Sequence, residues 1–171
     1  MLTLSLLRHA KSSWADPALD DHDRPLAKRG VKAIPLVAKF MRQEKLAPDL
    51  VLCSDAMRTR ATLALLIAEF DKPSPRIVYD ERLYLAPPRA IMSAVSAHDE
   101  AHILVVGHNP GLHALALELV GDGNRKLLAA LAREFPTAAL AVVTFDAASW
   151  SEITPASGNL RLYTTPRRLA D

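Results

Sequence analysis

Four residues of this chain, Arg8, His9, Arg58 and His108, have the types and settings that phosphoryl transfer to a protein side chain would require. Arg8-His9 closes the apolar run Leu4–Leu7 and leads into Ala10-Lys11-Ser12-Ser13-Trp14. An arginine supplies a rigid fork of donors that matches phosphate oxygens, and a histidine ring supplies a nitrogen nucleophile. Taken alone, an Arg-His pair is equally well read as a surface pair flanking a strand. Arg58 follows Ser54 by four residues. With Ser54 as N-cap, Arg58 lies in the first helical turn, where the helix dipole favours an anion. Arg60 competes for that role but points to another side of the helix. His108 stands directly before Asn109-Pro110-Gly111, in which Asn109 is expected as N-cap and Pro110 as the first helical residue. Singly, Arg58 could be a helix-surface residue and His108 a capping or core histidine.

The elements that must position these residues are legible as alternating patterns. Short apolar runs at Leu2–Leu7, Leu50–Cys53, Ile103–Val106 and Leu140–Phe145 recur between stretches of helical periodicity. That alternation predicts an α/β fold, a mostly parallel sheet covered by helices on both faces, in a single domain spanning residues 1–171. Helices are expected over 26–46, 54–70, 88–97, 112–120 and 122–135, with a kink or late start in the first at Pro35. Asp71-Lys72-Pro73-Ser74-Pro75 should end the second and lead into a strand at Arg76–Tyr79, and the tail from Ser149 to Thr164 should add edge strands. Ligands of open parallel sheets bind beyond the carboxyl ends of the strands, and Arg8, His9, Arg58 and His108 all fall at such ends.

Composition excludes several classes. The chain is 50% hydrophobic and 23% charged with a formal net charge of +2, the balance of an ordinary globular domain with no nucleic-acid footprint. Arg167-Arg168 reads as a solvated tail. The single cysteine, Cys53, sits in an apolar run, excludes an internal disulfide and reads as a small buried side chain. No histidine pair has metal-ligand spacing: His108 and His113 do not share a helix face, and His98 and His102 flank a turn. Neither a lysine-bearing phosphate loop, a Gly-x-Gly-x-x-Gly fingerprint nor a Gly-x-Ser-x-Gly elbow occurs, so no metal and no cofactor are expected. The amino terminus lacks a basic leader and no apolar run approaches membrane-spanning length, so no membrane association and a cytoplasmic location are expected.

Arg8-His9-Ala10-Lys11-Ser12-Ser13-Trp14 resembles the Arg-His-Gly-x-Ser-x-Trp opening of the histidine phosphatase superfamily, which includes the cofactor-dependent phosphoglycerate mutases. Ser54-Asp55-Ala56-Met57-Arg58-Thr59-Arg60-Ala61-Thr62 resembles the family's second motif, which favours Arg58 over Arg60, and Gly107-His108-Asn109-Pro110-Gly111 is similar to its late Gly-His motif. The resemblance implies a three-layer α/β/α sandwich of the phosphoglycerate mutase type. The compact length, Arg24-Pro25-Leu26 and Gly30 are similar to the small SixA-type phosphohistidine phosphatases. Asp80-Glu81-Arg82-Leu83 resembles the segment before the mutases' acid glutamate, but Leu85 stands where that glutamate is expected.

With the resemblance, His9 is expected to attack phosphorus and carry the phosphoryl group until water releases it. Arg8 and Arg58 would hold the equatorial oxygens and His108 would donate a further hydrogen bond. Positive neighbours should lower the His9 pKa, while a bound dianion should favour protonated His108. Without an acid at Leu85, a phosphohistidine, with its better leaving group, suits the site more than an alkyl phosphate. The expected partner is therefore a phosphorylated protein, with a small phosphoester as the alternative substrate. Glu81, Asp20, Asp21 and His22 could supply a proton, but read more simply as solvated loop residues. A non-catalytic module recognising phosphorylated partners is a second reading, because the Ala10 methyl could alter the backbone beside phosphate, and a mutase moving phosphate between positions of a sugar acid is a further one.

Overall fold

The computed structural model describes residues 1–71 and 73–171. Lys72, in the stretch expected to end the second helix, lies outside the described residues. The strands are β1 (Leu2–Arg8), β2 (Leu50–Ser54), β3 (Arg76–Asp80), β4 (His102–Gly107), β5 (Val120–Gly123), β6 (Leu140–Phe145) and β7 (Gly158–Thr164). They form one sheet in the order β3-β2-β4-β1-β6-β7-β5. β3, β2, β4 and β1 pair in parallel, β6 runs against both its neighbours, and β7 pairs in parallel with β5. The helices are α1 (Lys28–Gln43), α2 (Met57–Ala68), α3 (Pro88–Ser96), α4 (Gly111–Leu119), α5 (Arg125–Arg133) and α6 (Pro166–Ala170).

The unbroken apolar runs make sense because the central strands are buried on both faces. Leu4, Leu6, Leu52 and Val105 enter one core with residues of α3, α4 and α5. Their alternates Leu7, Val51, Cys53, Leu104 and Val106 enter the other with α1 and α2. Successive strand residues point to opposite faces, so both faces demand apolar side chains. The result is the expected three-layer arrangement, with β1, β2 and β4 ending side by side. Among the described residues, no helix is long and apolar enough to cross a membrane.

Several elements depart from the sequence reading. α1 begins at Lys28, well before Pro35, because Ile34, Val37, Ala38 and Met41 keep its buried face and leave Pro35 exposed. α5 starts only after Asn124, whose side chain caps the Lys126 and Leu127 amides; the preceding Val-Gly-Asp-Gly segment forms β5. β7 is not an edge strand, since it lies between β6 and β5. Arg167 and Arg168 belong to α6, which Thr165 caps and which packs against α1, rather than to a free tail.

Candidate active site

His9 follows β1 immediately, its amide bonded to the Gly107 carbonyl of β4. Its Nδ1 lies 2.8 Å from the Ala10 carbonyl oxygen. That oxygen can only accept, so Nδ1 carries the proton and Nε2 carries the lone pair. The ring is buried, and its pKa falls to about 4. Burial is the first cause, and Arg58, Arg8 and Arg24 add to it, so positive neighbours are the secondary cause and not the leading one.

Arg58 lies in the first turn of α2 and is 4% exposed, which excludes the surface reading. Its Nη1 donates to the Asp21 carbonyl at 2.7 Å and its Nη2 to Asp21 Oδ2 at 3.0 Å. The same carboxylate accepts from Arg24 Nη1 at 2.8 Å and from the Tyr84 hydroxyl. These donors, Tyr84 foremost, hold the Asp21 carboxyl far below the usual range. Asp21 is exposed, but its carboxylate is tied to Arg58 and Arg24 and orients both, so it is held ionised rather than free in its loop. An Asp-x-x-Arg spacing to Arg24 is the one sequence signal of it. Arg24 is buried too, bonded to the Ser13 carbonyl and Ser12 hydroxyl, with Trp14 stacked 3.3 Å from its guanidinium.

His108 follows β4 and is 3% exposed. Its Nε2 lies 2.7 Å from the Ser54 hydroxyl oxygen. Ser54 does not cap α2, which starts at Met57 after Ala56 with no side-chain cap; its hydroxyl meets the histidine and accepts from the Ala56 amide, ahead of the helix, at 3.4 Å. Asn109 lies one residue before the N-cap position of α4, which Pro110 occupies, but its Oδ1 still accepts from the His113 amide of the first turn at 3.3 Å. The helix starts at Gly111, and the Asn109 side-chain amide also donates to the Phe135 carbonyl at 2.8 Å, an oxygen that accepts from Arg8 Nη1 as well. Burial, then the neighbouring His9 and Arg58, lowers the His108 pKa to about 3. The two rings stand 5.3 Å apart between centroids. Two buried polar atoms lack a partner among the described residues, Arg8 Nε and His108 Nδ1.

All four predicted residues line one cavity of about 200 Å³, with Trp14, Arg24 and Leu85 among its other walls. Leu85 is half exposed with φ 50°. Ala10 is fully buried in the core shared with α1 and α2, and its amide donates to Thr62, so its methyl does not crowd the cavity. Gly30 lets α1 approach this loop: a Cβ there would lie 2.3 Å from the Lys11 carbonyl oxygen. Arg60 is exposed and stacks on Tyr79 at 4.2 Å, outside the cavity. Glu81 and Asp20 are exposed and line none of it, and His22 pairs with Asp55 at 2.9 Å behind Tyr84. Among the described residues no group of three or more His, Cys, Asp or Glu side chains could hold a metal.

Residues 4–84 match the model of the histidine phosphatase superfamily (branch 1). The uncharacterized protein Rv1276c of Mycobacterium tuberculosis is 36% identical over 165 residues, covering 94% of this chain and 100% of its own length. A crystal structure assigned as the phosphohistidine phosphatase SixA of Agrobacterium tumefaciens superposes with a TM-score of 0.81 at 30% identity, over 96% of this chain and 98% of that one. One so assigned from Nakamurella multipartitia gives 0.80 at 32% identity, over 96% of each. The chain belongs to the histidine phosphatase superfamily, in its SixA-type branch.

Proposed function

We propose that the protein is a phosphatase that works through a phosphorylated His9 and takes its phosphoryl group from phosphohistidine on a partner protein. One observation carries the reading: a buried, neutral histidine whose Nδ1–H is fixed on a carbonyl, leaving the Nε2 lone pair in a cavity walled by Arg8, Arg58 and His108. Nε2 attacks phosphorus, a bond from nitrogen to phosphorus forms, and the leaving group departs with its electron pair. Water then attacks the phosphorylated ring and releases inorganic phosphate, returning His9 to its starting state.

Arg58 and Arg8 bear the positive charge that the equatorial oxygens meet, and Asp21 keeps Arg58 in place before substrate arrives. A phosphate oxygen at the unpartnered His108 Nδ1 and Arg8 Nε would satisfy both atoms. A dianion there raises the His108 pKa and makes its ring a charged donor as negative charge moves toward the leaving atom. With Leu85 where a carboxylic acid would stand, departure of an alkoxide goes unassisted, whereas a phosphorylated imidazole needs less help. The buried Ala10 methyl supports retained chemistry over mere phosphate recognition.

The test is a turnover screen on phosphohistidine protein, alkyl phosphate and aryl phosphate, combined with rapid-quench labelling from the phosphodonor. Wild type should become labelled and His9→Ala should not. Loss of all turnover in His108→Ala but not in His9→Ala would overturn the assignment of nucleophile. Fast alkyl phosphate hydrolysis that Glu81→Gln abolishes would overturn the acid-poor reading.

A further inference from the structure

A second concavity, about 570 Å³, adjoins the catalytic cavity and shares two of its walls, Lys11 and Thr137. Lys11, Arg29, Lys32 and Arg167 edge it, with Glu134 as its one carboxylate. None of these four cations has an ion-pair partner among the described residues, whereas the exposed Arg42, Arg76 and Arg82 each have one. The groove runs on into a neighbouring depression that adds Lys126, Arg133 and Arg168 against Asp171. A chain of net charge +2 thus gathers seven of its 21 lysines and arginines, and only two of its 19 carboxylates, along one track leading from the phosphate cavity.

Between these charges the first groove is lined by small apolar side chains, Ala33 and Leu36 from α1, Pro136, and Pro166 and Ala170 from α6. No aromatic side chain lines it, so it offers no stacking platform for nucleic-acid bases. A basic rim over small apolar side chains suits a polypeptide that carries carboxylates beside apolar contacts. The catalytic cavity, about 200 Å³, has room for a phosphorylated side chain and little more, so the rest of a protein substrate must lie outside it. We propose that this groove docks an acidic stretch of the substrate protein flanking its phosphohistidine, which rests on the phosphohistidine reading above.

Two synthetic peptides test it, each with one central histidine phosphorylated by phosphoramidate. One is flanked by glutamates, the other by glutamines in the same positions. Wild type should hydrolyse the acidic peptide with a kcat/KM about tenfold or more above the neutral one at low ionic strength, and the advantage should shrink as salt rises toward about 0.3 M. In the triple variant R29E/K32E/R167E the preference should vanish while aryl phosphate turnover stays at the wild-type level, which also reports folding. Lys11 is left alone because it borders the catalytic cavity. Should the triple variant fail to fold, the salt dependence of the wild-type preference decides.

Equal rates on both peptides, or a preference that survives charge reversal, overturn the docking site and leave the phosphohistidine reading standing. Hydrolysis of neither peptide, with aryl phosphate still turned over, removes the phosphohistidine reading and the docking site with it. Binding of a single-stranded oligonucleotide that R29E/K32E/R167E abolishes, with no peptide preference, would assign the groove to nucleic acid and overturn the proposal.

Discussion

The catalytic cavity and the groove beside it both present arginines, but they treat them in opposite ways. Arg58 and Arg24 are buried, and one carboxylate, Asp21, holds both. Arg29, Lys32 and Arg167 are exposed and unpaired among the described residues. Fixed charge stabilises a transition state because it needs no reorganisation when the reaction occurs, while solvated charge acts mainly on encounter and is screened by salt. Positive charge alone therefore says little about role; what holds it decides.

The largest expected break in this comparison comes at His9. His9→Ala should lower turnover of every substrate by at least about a thousandfold and abolish labelling in rapid quench. Its lowered pKa sets a sign as well. Because His9 stays neutral down to about pH 4, labelling by aryl phosphate should persist below pH 6.5 and fail only near pH 4. Stability moves in the same direction. The unfolded chain takes up protons on His9 and His108 near 6.5 while the folded chain resists, so thermal unfolding should come earlier as pH falls from 6.5 toward 4.

Next in size is Asp21→Asn, which keeps the shape and removes the charge that fixes Arg58 and Arg24. We expect kcat/KM on aryl phosphate to fall roughly 10- to 100-fold, with labelling slowed in proportion, because misplaced groups lose orientation rather than chemistry. An unchanged rate would mean that the buried arginines are held without it. Leu85→Glu should raise the ratio of alkyl to aryl phosphate turnover by about tenfold, measured on the two substrates side by side, by giving an alkoxide its proton. Smallest of all, Arg29→Ala should change aryl phosphate turnover by less than about twofold at 0.15 M salt, since its charge is screened from the cavity.

The chemistry-bearing residues were legible because they sit at the ends of strands whose apolar runs announce themselves. Leu4–Leu7 and Ile103–Val106 are buried on both faces, and that burial wrote the pattern. β5 was hidden, since Val120-Gly121-Asp122-Gly123 carries no periodicity and pairs only through its backbone with β7. The Asp21 cluster was hidden for another reason. Its partners Arg58 and Tyr84 lie 37 and 63 residues away in the chain, and only the fold makes them neighbours. Ser54 was assigned to a helix cap on local preference, but His108 engages its hydroxyl, while Asn109 keeps a bond to the His113 amide of α4 and adds one to the Phe135 carbonyl.

The bond from the His9 ring to the carbonyl of the very next residue has a bearing on engineering. Its acceptor is main chain, so no side-chain replacement removes that oxygen, and His9 keeps its proton on Nδ1 when the cavity walls are changed. Leu85, exposed at the cavity's rim, can then be varied to change which leaving groups fit, whereas Trp14 is tied to the site through its stacking on Arg24. The shape of the cavity rim and the orientation of the His9 ring are therefore separately adjustable in this scaffold, which suits it to libraries selected on phosphorylated compounds.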